Sequence, residues 1–566
     1  MKPCVSLLFL TSALLFGQKA DACTNFLVGK DATTDGSTLI TYAADSYALY
    51  GSLFFSPAKD HPSGSVRAVD DRDTGRPWCK IAEASHTYSV VGNMNEHQLT
   101  IGETTWEGRH ELFDTTGIDY GNLMCIALER CRTAREAILC MTELVAQYGY
   151  SSEGETFSIG DPNEVWIMDM CGKGPGNTGA VWVAARVPDS CICAHANMAR
   201  ITTIGWPAAV PPRGEKMKGR KDVLVSPDGH WMWSRDLISF AREKGYFHGK
   251  DEDFSFQAAY CPYQPFDLAV CEPRVWSFFR RYSDAMDSYY DFATGHTLRD
   301  TDGKDAGTPM PLWLKPNRKI SAQDLKECMR DQYEGTPLDI TQGTAAGPWH
   351  SKLRYGSLAF TLDSTQYWYP RPIATQQTGW SFVAQMRGYA DAKAGGILWF
   401  GVDDAATCVY VPLYCRITDV PECFREGNGD LYTYSPTSAW WTYNIVANWA
   451  YSKYSAMLPD IQAVQSHWEN LFNSQIAFID RAASLSRTDE EARRVLTAYS
   501  CAQAQQSTAA WRELGIYLLI KYLDGQQRKE DANGFLRNEW GVPEMPNRPA
   551  FPEPFLRQIA PETEHD

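Results

Sequence analysis

The chain has 566 residues, 44% hydrophobic and 22% charged, a globular balance that excludes disordered, collagen-like and small disulfide-scaffold classes. With 53 basic against 69 acidic residues the formal net charge is −16, which speaks against wrapping duplexes or a polybasic hold on membranes, so nucleic acid is dropped as a partner. The length allows three or more domains, or one elaborated catalytic body with extensions.

In chain order, the first 22 residues have the three parts of a secretory signal: Lys2, an apolar run from Val5 to Phe16, and Ala20-Asp21-Ala22 with small residues flanking a cleavage point before Cys23. The run is too short to span a bilayer, and no later stretch reaches the roughly 18 apolar residues that a transmembrane helix needs. The expectation is an exported protein, periplasmic or secreted, with no transmembrane segment. The sequence holds 16 Cys; Cys4 leaves with the signal, and if Cys23 has its own task an even number is left for disulfides in an oxidising compartment.

After Cys23, Thr24 to Gly29 reads as a strand, Asp35-Gly36 as a turn and Ser37 to Ala43 as a second strand, a hairpin beginning at the mature terminus. Asp119 to Tyr148 is helical with a break at Thr133, where Thr133 and Glu136 make a capping box. Thr156–Ile159, Glu164–Met170, Ala180–Val187 and Cys191–Ala196 read as a strand meander. The aromatic-rich stretch from about Gly205 to Asn317 has poor periodicity, and its topology stays open. Beyond Thr437, Ile461, Val464, Trp468, Leu471, Gln475 and Ile479 keep helical spacing, and Thr488 with Glu491 caps a further helix toward Gly525. Pro543, Pro546, Pro549, Pro552 and Pro554 mark an extended tail. The expected organisation is a signal over 1–22, a catalytic body over 23–436, a helical extension over 437–530 and a tail over 531–566.

Short catalytic motifs are missing: no Gly-x-Ser-x-Gly elbow, no His-Glu-x-x-His helix, no phosphate-binding Gly-rich loop. Cys191, Cys193 and His195 alternate along one strand face but lack a second knuckle, so no metal is expected. What stands out is the position of Cys23. Cleavage before it leaves a thiol and a free α-amine on one residue, and an amine titrating near about 7.7–8.0 takes the thiol proton without a histidine. The same position suits a lipid-bearing cysteine or a structural one, although Ala20 and Asp21 fit a lipobox poorly.

The stretches CTNFLVGKDATTDGSTLITYAADS, VGNMNEHQLTIGETTW, FSIGDPNEVWIMD, AHANM, CEPRVWSFFRR, MRDQYEGTP and ATQQTGWSFVAQMR resemble, in family order, the N-terminal-cysteine dipeptidases of the dipeptidase A type. The resemblance implies an α+β fold, a four-layer αββα N-terminal nucleophile hydrolase sandwich with a C-terminal helical extension, acting on dipeptides without a cofactor. It assigns Cys23 as nucleophile, its amine as base, Asp45 as the carboxylate that holds the amine, Asn197 as an oxyanion donor and Arg274 as a cation near the thiolate. Many relatives carry Arg-Asn just before that Asp, where this chain has Tyr42-Ala43. Thr105 stands where hydrolases of amidated bile acids place a second oxyanion donor, and Glu103 offers a carboxylate for a substrate α-ammonium. The same chemistry on an N-acyl amide, or a silent lipoprotein anchored at Cys23, are the alternative readings. A homo-oligomer is compatible with all of them.

Overall fold

The computed structural model describes residues 23–72, 74–202, 215–354 and 359–562, so the expected signal lies outside the described residues. The chain mixes helices and strands, and among the described residues it forms two large antiparallel sheets, one of seven strands and one of ten.

The hairpin expected after Cys23 is the nucleus of the seven-stranded sheet. Asn25–Val28 pairs antiparallel with Thr38–Asp45, Leu27 opposite Ile40, and Thr24 bridges Ala43. Asp35 shapes the turn by accepting from both the Ser37 N–H (3.0 Å) and the Ser37 hydroxyl (2.6 Å), while Gly36 takes a left-handed φ of 80°. The second strand runs two residues further than its sequence pattern suggests, to Asp45. All eight of its residues are buried, which follows from cover on both faces and erases the alternation that one wet face would print. Thr378–Met386 extends the sheet on the other side, then Ile397–Val402 and Val411–Tyr414.

Helices Tyr120–Arg130 and Ala134–Tyr148 break where expected. Thr133 accepts from the Glu136 N–H, but Glu136 reaches back to the N–H of Arg132 (2.7 Å), one residue short of a capping box. They pack on the ten-stranded sheet, into which Gly154–Gly160, Val165–Gly172 and Ala180–Arg186 fold as consecutive antiparallel neighbours. The fourth strand of the expected meander does not follow them. Ile192–His195 crosses to the seven-stranded sheet and pairs with Asn25–Val28, Asn25 opposite His195. That crossing carries Asn197 to Cys23. The two sheets face each other through Thr38–Asp45, Thr100–Thr105 and Gly154–Gly160. Between them His195 is bonded at both ring nitrogens, to Thr104 Oγ1 (2.8 Å) and Ser158 Oγ (2.7 Å), and burial keeps its pKa well below the ordinary histidine value.

The aromatic middle supplies strands Val223–Val225 and Trp231–Ser234 at one end of the ten-stranded sheet and the helix Pro265–Arg280, which packs on Ile192–His195. Helix Ala322–Met329 lies against Thr38–Asp45 and Thr378–Met386. At the C-terminal end, Ala439–Ser452, Tyr454–Ser484 and Asp489–Lys521 are helices, the last two packed on each other. The tail carries a seven-residue helix, Glu553–Ile559, that its proline spacing did not show. All fifteen cysteines among the described residues are free, so the expected disulfides are not formed in this structure.

The helix Tyr454–Ser484 buries Ile461, Gln465, Glu469 and Phe472, while Val464, Trp468, Leu471, Gln475 and Ile479 of the expected stripe are half-buried beside them. The difference is electrostatic. Gln465 donates to Cys408 O (2.5 Å) and Glu469 accepts from Arg330 Nη1 (3.2 Å), Gln323 Nε2 (2.9 Å) and the Tyr410 N–H (3.1 Å). Burial works against ionisation of Glu469, but the charges of Arg330 and Lys326 outweigh it and hold the carboxyl down to about 2. A depressed carboxyl stabilises above its unfolded value and ceases to as pH falls through its folded one. Glu469→Gln is therefore expected to lower neutral-pH stability by about 3 kcal/mol and to flatten the loss of stability between about pH 4.5 and 2, read from urea unfolding across that range.

Candidate active site

Cys23 sits at the start of the central hairpin, only 8% exposed. Its backbone N donates to Asn197 Oδ1 at 3.0 Å. Its thiol faces Glu103 Oε1 at 3.6 Å and the Tyr42 hydroxyl at 3.7 Å, and the backbone N–H of Asp45 also points at the sulfur. Burial, then the charges of Glu103 and Asp45, push the thiol well above its ordinary pKa, so the resting group is protonated.

Asn197 follows the crossing strand in a left-handed conformation, φ 58°, which asparagine tolerates better than most residues. Its side chain is engaged at both ends. Oδ1 accepts from the Cys23 N–H and from Arg274 Nη1 (3.0 Å), and Nδ2 donates to Thr105 O (2.5 Å). One hydrogen of the amide expected to serve an oxyanion is thus given to a strand carbonyl, and Oδ1 fixes the nitrogen of Cys23. Arg274 projects from the helix Pro265–Arg280 and is fully buried. Nη1 donates to Cys23 O (2.8 Å) and Thr24 Oγ1 (3.0 Å), and Nη2 to Ala196 O (3.3 Å). One guanidinium therefore ties three segments together around the first residues of the hairpin.

Asp45 does not receive the Cys23 N–H. Its carboxylate accepts from Arg371 Nη2 at 3.1 Å and from the Thr378 hydroxyl at 2.6 Å. Burial raises its pKa, and the charges of Arg371 and Arg274 with these hydrogen bonds hold that rise back. Arg371 was not singled out in the sequence. It lies between Pro370 and Pro372, outside any periodic element, and only pairing to a carboxylate 326 positions away brings it to the site.

Tyr42 and Glu103 meet across the sheets: the phenol donates to Glu103 Oε1 at 2.6 Å. Gly102 makes room for this, since a Cβ there would stand 2.9 Å from Asn25 Nδ2 and 3.3 Å from Tyr42 Cβ. Thr105 is also turned away from the expected oxyanion role. Its hydroxyl lies 3.0 Å from Glu155 Oε1 and 3.4 Å from Glu103 Oε2, bridging two buried carboxyls. Glu155 escaped the sequence reading because a strand glutamate carries no motif; its register opposite Thr105 was the only available signal. Burial raises both carboxyls, and the charge of Glu103 raises Glu155 further.

The model of peptidase family C69 matches residues 22–63 and 55–467. The chain belongs to peptidase family C69. Among curated proteins, this C69 peptidase is similar to the "Probable dipeptidase" of Latilactobacillus sakei, 24% identical over 81% of this chain and 88% of the relative. It is 25% identical to the "Dipeptidase" of Bifidobacterium longum over 72% of this chain and 73% of that protein. To the "Dipeptidase A" of Lactobacillus helveticus it is 22% identical, over 72% and 78%. No described helix is long and apolar enough to cross a membrane.

Proposed function

We propose that this C69 peptidase is a dipeptidase of the N-terminal nucleophile type, with the Cys23 thiol as nucleophile and the α-amine of the same residue as base. The observation that carries the reading is the backbone nitrogen of Cys23 held 3.0 Å from Asn197 Oδ1, with the thiol on the same residue and Arg274 on its carbonyl. Helices on both outer faces of two stacked sheets support the αββα arrangement of that class. Export with removal of residues 1–22 generates the free amine.

In the reaction the amine takes the thiol proton and the sulfur attacks the carbonyl carbon of the first substrate residue. The C–N bond breaks as the ammonium returns its proton to the leaving amine. Water, deprotonated by the same amine, then cleaves the thioester and releases the acid. Asn197 orients the amine throughout, and Nδ2, which gives one hydrogen to Thr105 O, keeps its second for the oxyanion. Arg274 adds a fixed positive charge beside developing negative charge.

The mass of the N-terminal peptide of the enzyme isolated from its own cells tests this directly. An unmodified peptide beginning at Cys23, in a preparation that cleaves dipeptides, is the expected result. An acylated or internal Cys23 in an equally active preparation removes the base and sinks the mechanism.

A further inference from the structure

We propose that Glu103 and Glu155 form the receptor for the substrate's α-ammonium, restricting this peptidase to substrates with a free amino terminus. The inference rests on Cys23 being the nucleophile.

Covalent geometry sets the distance. In an amino acid the α-nitrogen lies about 2.5 Å from its carbonyl carbon, given bonds of about 1.46 and 1.52 Å and an angle near 111°. A thiol poised for attack stands about 3–3.5 Å from that carbon. A carboxylate hydrogen-bonded to the ammonium must then lie within about 9 Å of the sulfur. Among the described carboxylates, the charges of Glu103 and then Asp45 weigh most on the thiol. Asp45 is already occupied by Arg371 and Thr378. Glu103, 3.6 Å from the sulfur, has only the hydroxyls of Tyr42 and Thr105, the thiol and the second carboxyl about it, and no ion pair among the described residues.

Glu155 is the independent sign that a ligand belongs here. It is completely buried, Oε1 takes the hydroxyls of Thr105 (3.0 Å) and Ser152 (2.7 Å), and Oε2 has no hydrogen-bond donor among the described residues. Two carboxyls this close in a dry site share one proton and carry one negative charge between them. One ammonium matches that charge. An N-acyl group brings none and leaves Glu103 ionised, desolvated and unpaired, a penalty of the kind that gives sites built for an N–H group their strong discrimination. The titratable groups facing the pair are Cys23, Tyr42 and Tyr150. Of these the thiol gains most: an ammonium on Glu103 offsets the charge that, after burial, raises the thiol most, so a correct substrate helps to ionise its own nucleophile.

The test compares an alanyl dipeptide with its N-acetyl counterpart on the processed full-length enzyme, its Cys23→Ala variant and its Glu103→Gln variant. Expected are Cys23-dependent hydrolysis, a kcat/KM at least about 10³-fold lower for the acetylated substrate, and for Glu103→Gln a loss of about 10²-fold on the free dipeptide with little change on the acetylated one. Calorimetric binding of both ligands to Cys23→Ala, with and without Glu103→Gln, gives the same preference as a Kd ratio and does not depend on turnover. Cys23-dependent hydrolysis of both substrates within tenfold of each other overturns the receptor alone, as does a Glu103→Gln variant that loses both equally. Hydrolysis that survives Cys23→Ala, or a wild type inert on both substrates, overturns the nucleophile reading and the receptor with it.

Discussion

Replacing Cys23 by alanine is expected to abolish dipeptide hydrolysis, with a fall in kcat of at least about 10⁴-fold, the scale seen when a catalytic nucleophile is removed. The fold should survive. The side-chain contacts of the sulfur are long, 3.6 Å to Glu103 and 3.7 Å to Tyr42, and deleting one buried atom of that size costs about 1–2 kcal/mol. The neighbouring bonds from Arg274 go to the Cys23 carbonyl and stay in place. Cys23→Ser keeps the amine and the geometry but offers a hydroxyl whose proton that amine removes far less readily, so it should remain at least about 10²-fold slower than the thiol enzyme. The pH dependence has a definite sign. Burial and the charges of Glu103 and Asp45 raise the thiol, so the thiolate fraction, and with it inactivation by iodoacetamide at Cys23, must climb with pH through the neutral range and beyond. A rate already level at pH 6 would show a thiol that is not raised, whereas a Cys23→Ala enzyme with wild-type turnover would end the case for this thiol as nucleophile.

How far the site was legible depended on how local its signals were. Cys23 stands out by its position after the expected signal, Asp45, Asn197 and Arg274 only through stretches that resemble the dipeptidase A family, and the structure gathers all four around one hairpin end. Their contacts were not legible. Asn197 holds the Cys23 nitrogen, the contact expected of Asp45, and Asp45 pairs with Arg371 instead, because hydrogen-bond partners are set by side-chain direction at sites 174 and 326 residues apart. The same holds for the fold. The hairpin and the helix pair were readable because turn and cap residues act within four positions. The crossing of Ile192–His195 into the other sheet was not, since a short buried strand reads alike in either sheet. The C-terminal helix shows the limit of hydrophobic periodicity. Gln465 and Glu469 are buried by polar partners on distant segments, so a pattern that counts apolar residues finds the neighbouring stripe.

The Asp45–Arg371 pair carries the second large effect. Both groups are almost completely buried and 3.1 Å apart. Removing either partner strands the other charge in a dry site, and such single losses cost about 3–5 kcal/mol. Asp45→Asn and Arg371→Met are each expected to destabilise by that amount and to lower kcat, since both lie in the electrostatic surroundings of the thiol. The double variant separates two roles. If Asp45 acts through its pairing, as the bonds to Arg371 and Thr378 imply, removing both charges leaves neither member of the pair as a stranded charge, and stability recovers by about 2–3 kcal/mol over the sum of the single losses. Turnover should recover in parallel, because the nitrogen of Cys23 is fixed by Asn197 and not by the missing carboxylate. If instead Asp45 binds the free amine during catalysis, the double variant regains stability while kcat stays as low as in Asp45→Asn. Urea unfolding and steady-state kinetics on the same three variants decide between these outcomes. Additive stability losses would show that the two charges, although adjacent, are not energetically a pair.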